Sequence, residues 1–173
     1  VKVSLLEHLA QPKVGLQTGD NDAYLFQNPE ARGNYRSIED YRENLLSEED
    51  LERIRSNEQF RLAVIENGIS KDDRDSERYF EGRYIVPYDK GGESDAVGGW
   101  MPNYWVPTDY FIDWSEWAIA RMKSLTLREK NRLKGKSGGN DRLTSRFQNT
   151  EAYFKRGITF SYVGVYAPNF RVS

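Results

Sequence analysis

The chain has 173 residues, 38 % of them hydrophobic and 30 % charged, with a formal net charge of −2, which is the composition of a water-compatible globular domain with a real core. It has no cysteine and a single histidine, His8, which excludes disulfide scaffolds, zinc fingers, thiol nucleophiles and histidine-rich metal sites. No apolar run approaches the roughly 20 residues that span a bilayer, and no signal-like segment opens the chain. A cytoplasmic protein without membrane contact is expected, and a start at Val1 rather than Met suggests a piece of a larger protein.

In chain order, residues 1–26 read as a lead-in followed by strand, turn and strand. The turn is Gln17-Thr18-Gly19-Asp20-Asn21, whose Gly, Asp and Asn tolerate positive φ. Residues 27–37 are polar and read as loop. Ile38 to Leu46 reads as a helix, and a second helix starts at Ser47, with Asp50 three residues on as a near capping box. Leu51, Ile54, Leu62 and Ile65 then share one helical face up to Gly68, a C-terminal stop. Residues 69–77 read as a solvated connection and Arg83 to Tyr88 as a strand. Asp113 is the expected cap of one helix running to about Lys134, basic in its second half, and Gly135 to Asn140 form a flexible basic loop. Ile158 to Tyr166 alternates as a strand. The expected fold class is α+β: one domain over residues 1–173, a small mixed sheet, an inserted acidic helical pair at 38–67 and one basic helix.

Charge is segregated. Residues 36–81 hold 8 basic and 14 acidic side chains, while residues 118–156 hold 11 basic and 3 acidic. A local basic stretch is sufficient for phosphate contact whatever the net charge. Catalytic constellations are missing. There is no Gly-x-Ser-x-Gly elbow, no phosphate-binding loop, and no glycine-rich loop after a strand. Asp73, Asp75 and Glu77 begin like a calcium loop, but Arg78 stands where glycine is needed and Tyr84 where the bidentate glutamate belongs.

Three stretches carry a resemblance. Val14-Gly15-Leu16-Gln17-Thr18-Gly19-Asp20-Asn21-Asp22-Ala23-Tyr24-Leu25 resembles the Gly-Ile/Leu-x-Thr-Gly-x-Asn-x-Ala-Phe pattern that opens the specificity region of TaqI-like type II restriction–modification methyltransferases. Ile85-Val86-Pro87-Tyr88-Asp89-Lys90-Gly91-Gly92-Glu93 is similar to the Pro-Tyr-x-Lys-Gly-Gly-Glu element of the same proteins and of BREX-type phage-defence methyltransferases. Tyr153-Phe154-Lys155-Arg156-Gly157-Ile158-Thr159-Phe160-Ser161 resembles their Tyr-Phe-Lys-x-Gly-Ile-Thr-Trp-Ser element. Residues 94–113 depart from the family, with Trp100 and Tyr104 at a different spacing.

The resemblance implies the target-recognition region of an N6-adenine DNA methyltransferase, without catalytic residues, metal or cofactor of its own. S-adenosylmethionine belongs to a catalytic domain of the same parent chain, and the partner is double-stranded DNA. Such enzymes turn the adenine out of the duplex while a separate lobe reads the neighbouring bases. The expected DNA-contacting residues are Lys90, Gly91, Gly92, Arg142, Arg146, Lys155 and Arg156, with Thr18, Gly19 and Asn21 as the turn motif and the acidic segment turned away from DNA. Two other classes stay open. One is a carbohydrate- or peptide-binding module using Trp100, Tyr104, Trp105, Tyr110, Phe111, Trp114 and Trp117 as a platform. The other is a protein-docking domain that uses the acidic helices.

Overall fold

The computed structural model describes residues 13–31, 33–89, 109–160 and 170–172. His8, Lys90, Gly91, Gly92, Trp100, Tyr104 and Trp105 lie outside the described residues. The fold is α+β. Four strands, β1 (Leu25–Gln27), β2 (Arg36–Ser37), β3 (Ile85–Pro87) and β4 (Tyr110–Asp113), form a mixed sheet in the order β2-β1-β4-β3. β2 runs parallel to β1, and the other pairs are antiparallel. A separate antiparallel pair joins β5 (Ile158–Phe160) to β6 (Phe170–Val172).

Alternation along the strands puts two apolar sets on the two faces of the sheet. Val86 and Ile112, which are cross-strand neighbours, sit with Leu25 in the main core, together with Leu51, Ile54, Val64, Ile119 and Met122 from the helices. On the other face, Phe26 and Ile85 pack with Ile38, Tyr41 and Phe111.

The acidic segment keeps its position but not its expected shape. Ile38–Asn44 is a 3-10 segment kinked at Tyr41, where φ is −132°. Ser47 caps α2 (Glu48–Ser56) with a complete capping box. Its hydroxyl accepts from the Asp50 amide at 3.1 Å, and the Asp50 carboxylate accepts from the Ser47 amide at 2.9 Å. The expected single helix then breaks at Asn57, whose side chain caps α3 (Glu58–Asn67) by accepting from the Phe60 amide at 3.0 Å. Asparagine competes with the helix for backbone hydrogen bonds, so it ends one helix and starts the next. The break shifts the helical phase. Leu62 faces solvent, and Arg61 takes the buried position beside Val64 and Ile65. Gly68 ends α3 at φ +77°, as its position in the sequence suggested.

Three further expectations are corrected. The turn after Gln17 does not close a hairpin. Gln17 pairs with Arg146, and the chain passes through α1 (Asn21–Tyr24), a single helical turn, before entering β1. Residues 69–77 are not wholly solvated, because Ile69 and Ser70 are buried and Ile69 exchanges backbone hydrogen bonds with Trp114 and Glu116. Asp113 closes β4 instead of capping a long helix. The cap is Ser115, which opens α4 (Glu116–Ser124), and Thr126 caps a separate α5 (Leu127–Leu133) by accepting from the Glu129 amide. Thr126-x-x-Glu129 is itself a helix-start signal in mid-pattern. Of the expected strand over 158–166, Ile158–Phe160 is a strand and residues 161–166 lie outside the described residues. Among the described residues, no helix is long and apolar enough to cross a membrane.

Asp50 ties the acidic helix to the sheet through Arg83, at 2.7 Å and 3.1 Å. Burial alone raises the Asp50 carboxyl. Hydrogen bonds from Arg83 and from the Ser47 amide and hydroxyl outweigh it, so the net shift is downward. A depressed folded-state value stabilises the fold above the unfolded carboxylate range, and that stability is lost as pH falls through the folded value. Asp50→Asn is therefore expected to melt below wild type at neutral pH, with the gap closing as pH falls from about 4 through the lower folded-state value. Melting curves across that range test this, and a constant gap between the two proteins would deny Asp50 its charge-dependent role.

Candidate nucleic-acid interface

The Thr18–Asp22 turn is a structural joint. Thr18 is buried and its hydroxyl donates to the Asn21 side-chain oxygen, while the Asn21 amide reaches the Tyr35 hydroxyl at 3.4 Å. Ser145 Oγ lies 2.8 Å from both the Thr18 and the Met122 carbonyl oxygens, so its hydroxyl links the turn to the end of α4. Gly19 has φ +72°, and a Cβ there would stand 2.3 Å from the Thr144 carbonyl oxygen. From the other side, Lys130 donates to the Gly19 carbonyl. Lys134 reaches Asp20 at 2.8 Å and Asp22 at 3.4 Å. The Asp20 carboxylate, bonded to Lys134, raises the pKa of that ammonium. This turn therefore anchors Ser145 and α5, and the Thr18 and Asn21 side chains bond to protein partners.

The basic stretch separates into two sets. Arg121 pairs with Glu129, Lys123 with Glu66 and Arg128 with Asp141. Lys130 and Lys134 pair with Asp20, and Arg156 pairs with Glu52 at 3.0 Å and Glu48 at 3.7 Å. Arg132, Lys136, Arg142, Arg146 and Lys155 are exposed, and none has an ion-pair partner among the described residues. Arg142 and Arg146 lie on the segment that pairs with Thr126 and Gln17, next to α5.

The expected single patch of Arg142, Arg146, Lys155 and Arg156 thus falls in two electrostatic settings. Tyr153 and Phe154 are held by the acidic helices. Arg61 donates to the Tyr153 carbonyl at 2.8 Å, and Arg55 to that of Phe154 at 3.1 Å. Both rings stand edge-on to Trp114, with centroids 6.0 and 5.3 Å away. Lys155 and Arg156 follow directly, and the Arg156 charge is already engaged by α2. Lys90, Gly91 and Gly92 lie outside the described residues. Just past β3, the Tyr88 hydroxyl donates to the Leu16 carbonyl at 2.8 Å, beside the Gln17–Arg146 pair.

Arg132 and Lys136 belong to the basic stretch that the sequence marks for phosphate contact, but the sequence does not separate them from their paired neighbours. The signal that separates Arg132 is helical phase after the Thr126 cap, which sets Lys130 and Lys134 on one face and Arg132 on the other. Of the aromatic cluster, Trp114 and Tyr110 are core residues, Phe111 is half-buried, and Trp117 is exposed beside Tyr24. Among the described residues, no group of three or more His, Asp or Glu side chains is arranged to hold a metal ion. No family model, curated protein or solved structure matches the chain.

Proposed function

We propose that this chain is the sequence-specific DNA recognition module of a type II restriction–modification or phage-defence N6-adenine DNA methyltransferase. A catalytic domain of the same parent chain would bind S-adenosylmethionine and transfer the methyl group in the cytoplasm. The observation that carries this reading is the set of exposed cations that form no ion pair among the described residues: Arg132, Lys136, Arg142, Arg146 and Lys155. A cation already paired on the protein surface gives little to a phosphate. An unpaired one releases a counterion from the DNA and gains affinity. The three stretches that resemble the methyltransferase family supply the rest of the argument; Gln17 of the first pairs with Arg146, and Lys155 lies within the third. In this reading Lys90, Gly91 and Gly92 contact the same duplex. The aromatic-platform alternative is weakened because Trp114 and Tyr110 have their rings in the core.

The test is single substitution of Arg142, Arg146 and Lys155 by Ala, with duplex DNA binding measured at several salt concentrations. Each loss is expected to weaken binding to all sequences alike and to flatten the slope of log affinity against log salt by about 0.9. Arg156→Ala is expected to do less, because Glu52 and Glu48 already hold that guanidinium. Unchanged affinity and slope for the first three variants, with folding intact, would place the DNA face elsewhere.

A further inference from the structure

This inference rests on the DNA-recognition reading and carries it to one element. α2, α3 and α4 each bury side chains in the core, and α5 buries none. The core position at the end of this region belongs to Leu125, before α5 begins, while Leu127 and Leu133 within α5 are 38 % and 62 % exposed. Burial of an apolar stripe is the usual reason a short helix persists in a fold, and α5 lacks one. It is held instead by polar contacts from one side: Arg121 to Glu129, Lys130 to the Gly19 carbonyl and Lys134 to Asp20 and Asp22. At about 100° per residue, positions 130 and 134 fall together, and 128 and 132 fall on the opposite side.

That opposite side is cationic. Arg132 has no ion-pair partner among the described residues, and Arg128 has only the exposed Asp141. The chain after α5 returns along it, with the Leu127 amide donating to the Arg142 carbonyl at 2.9 Å and the Arg128 amide to that of Asn140 at 3.0 Å. Lys136 stands just past one end of the helix and Arg142 beside the other. The Asn131 side chain bonds the Gly138 carbonyl at 3.1 Å, which ties the loop back to the helix.

We propose that α5 enters the major groove of duplex DNA, with Arg132 directed to base edges and Lys136 and Arg142 on the flanking phosphates. An α-helix with its side chains is about 10–12 Å across, and the major groove, about 12 Å wide, admits it. Arginine reads guanine through two parallel hydrogen bonds, and an exposed leucine such as Leu133 suits a thymine methyl group. A polyanionic partner is the complement of this face, and a protein partner with an apolar contact surface is not. Lys130 and Lys134 act as positioning residues that fix the helix on the Thr18–Asp22 turn.

The experiment uses the 173-residue chain and duplexes enriched by it from a random-sequence pool. The enriched duplex is then prepared with 5-hydroxymethylcytosine bearing glucose, which fills the major groove. Binding is expected to fall by about tenfold or more, while a minor-groove ligand such as netropsin leaves it unchanged. Arg132→Ala is expected to weaken binding to the unmodified duplex by about tenfold, and to narrow the gap between the two duplexes, with an unchanged melting temperature. Equal affinity for glucosylated DNA, displacement by the minor-groove ligand, or no enrichment from the pool would overturn the placement of α5. If Arg142→Ala and Arg146→Ala still flatten the salt slope in that case, the DNA-binding reading survives and this inference alone fails. If the chain binds no duplex, both fall.

Discussion

Gly19→Val is expected to cost the fold several kcal/mol, and Gly19→Ala nearly as much. Two causes act at the same atom. The residue sits at φ +72°, where any Cβ is strained by about 1–3 kcal/mol. That Cβ would also stand 2.3 Å from the Thr144 carbonyl oxygen and 2.4 Å from its carbon, and both belong to backbone. Moving packed backbone aside adds ~1–3 kcal/mol. Because the first β-carbon already collides, shortening Val to Ala rescues little. The neighbouring Gly15 provides the control. It has nothing within 4 Å of a built Cβ, so Gly15→Ala is expected to be neutral. Asn21→Ala removes only the acceptor for the Thr18 hydroxyl and the contact to Tyr35, a loss of about 1 kcal/mol. Urea unfolding of the four variants gives this order directly. A Gly19→Val midpoint equal to that of wild type would mean that the turn does not pack on Thr144 as described.

Arg61→Ala is expected to destabilise the chain by about 3 kcal/mol, a typical value for truncating a large buried side chain. Arg61 is 1 % exposed, and its guanidinium makes three contacts, two to the Glu58 carboxylate and one to the Tyr153 carbonyl. The mutation leaves a void between α3 and the 153–154 segment and strands the Tyr153 carbonyl without its donor. Arg61→Met keeps most of the volume and is expected to lose less, since an apolar replacement of a buried ion can be tolerated. The Tyr153 and Phe154 rings flank Trp114, whose indole N–H donates to the Val64 carbonyl at 3.0 Å. Loss of Arg61 is thus expected to diminish the near-ultraviolet tryptophan signal along with stability. A variant as stable as wild type would show that the guanidinium does not hold this segment.

Local signals in the sequence were legible where the physics is local. The Ser47–Asp50 capping box, the Gly68 stop and the β-branched run at Ile85–Val86 involve neighbours within a few residues; the first two form as read, and the strand expected over 83–88 forms as Ile85–Pro87. The failures involve choices between local signals or pairings at long range. Leu51, Ile54, Leu62 and Ile65 fit one helical face on paper, but Asn57 offers its side chain as a new cap, and the phase shift puts Leu62 outside and Arg61 inside. Thr126 divides the basic helix in the same way. The partner of Gln17 is Arg146, which no turn rule near residue 17 can indicate.

The candidate site shows the same division. The charge asymmetry of residues 118–156 is plain in the sequence, but a count of cations does not say which are already neutralised. Lys130 and Lys134 are bonded to Gly19 and Asp20, 111 and 114 positions away, and Arg156 is bonded to Glu52, 104 positions away. Only the fold separates these from Arg132, Lys136, Arg142, Arg146 and Lys155.

The most direct test of the central claim is the affinity of the wild-type chain for duplex DNA measured across a salt series. Phosphate binding by the unpaired cations predicts a straight fall of log affinity with log salt, with a slope of about −0.9 for each phosphate engaged, and therefore several units in all. Absence of duplex binding at low salt, or an affinity indifferent to salt, would contradict it.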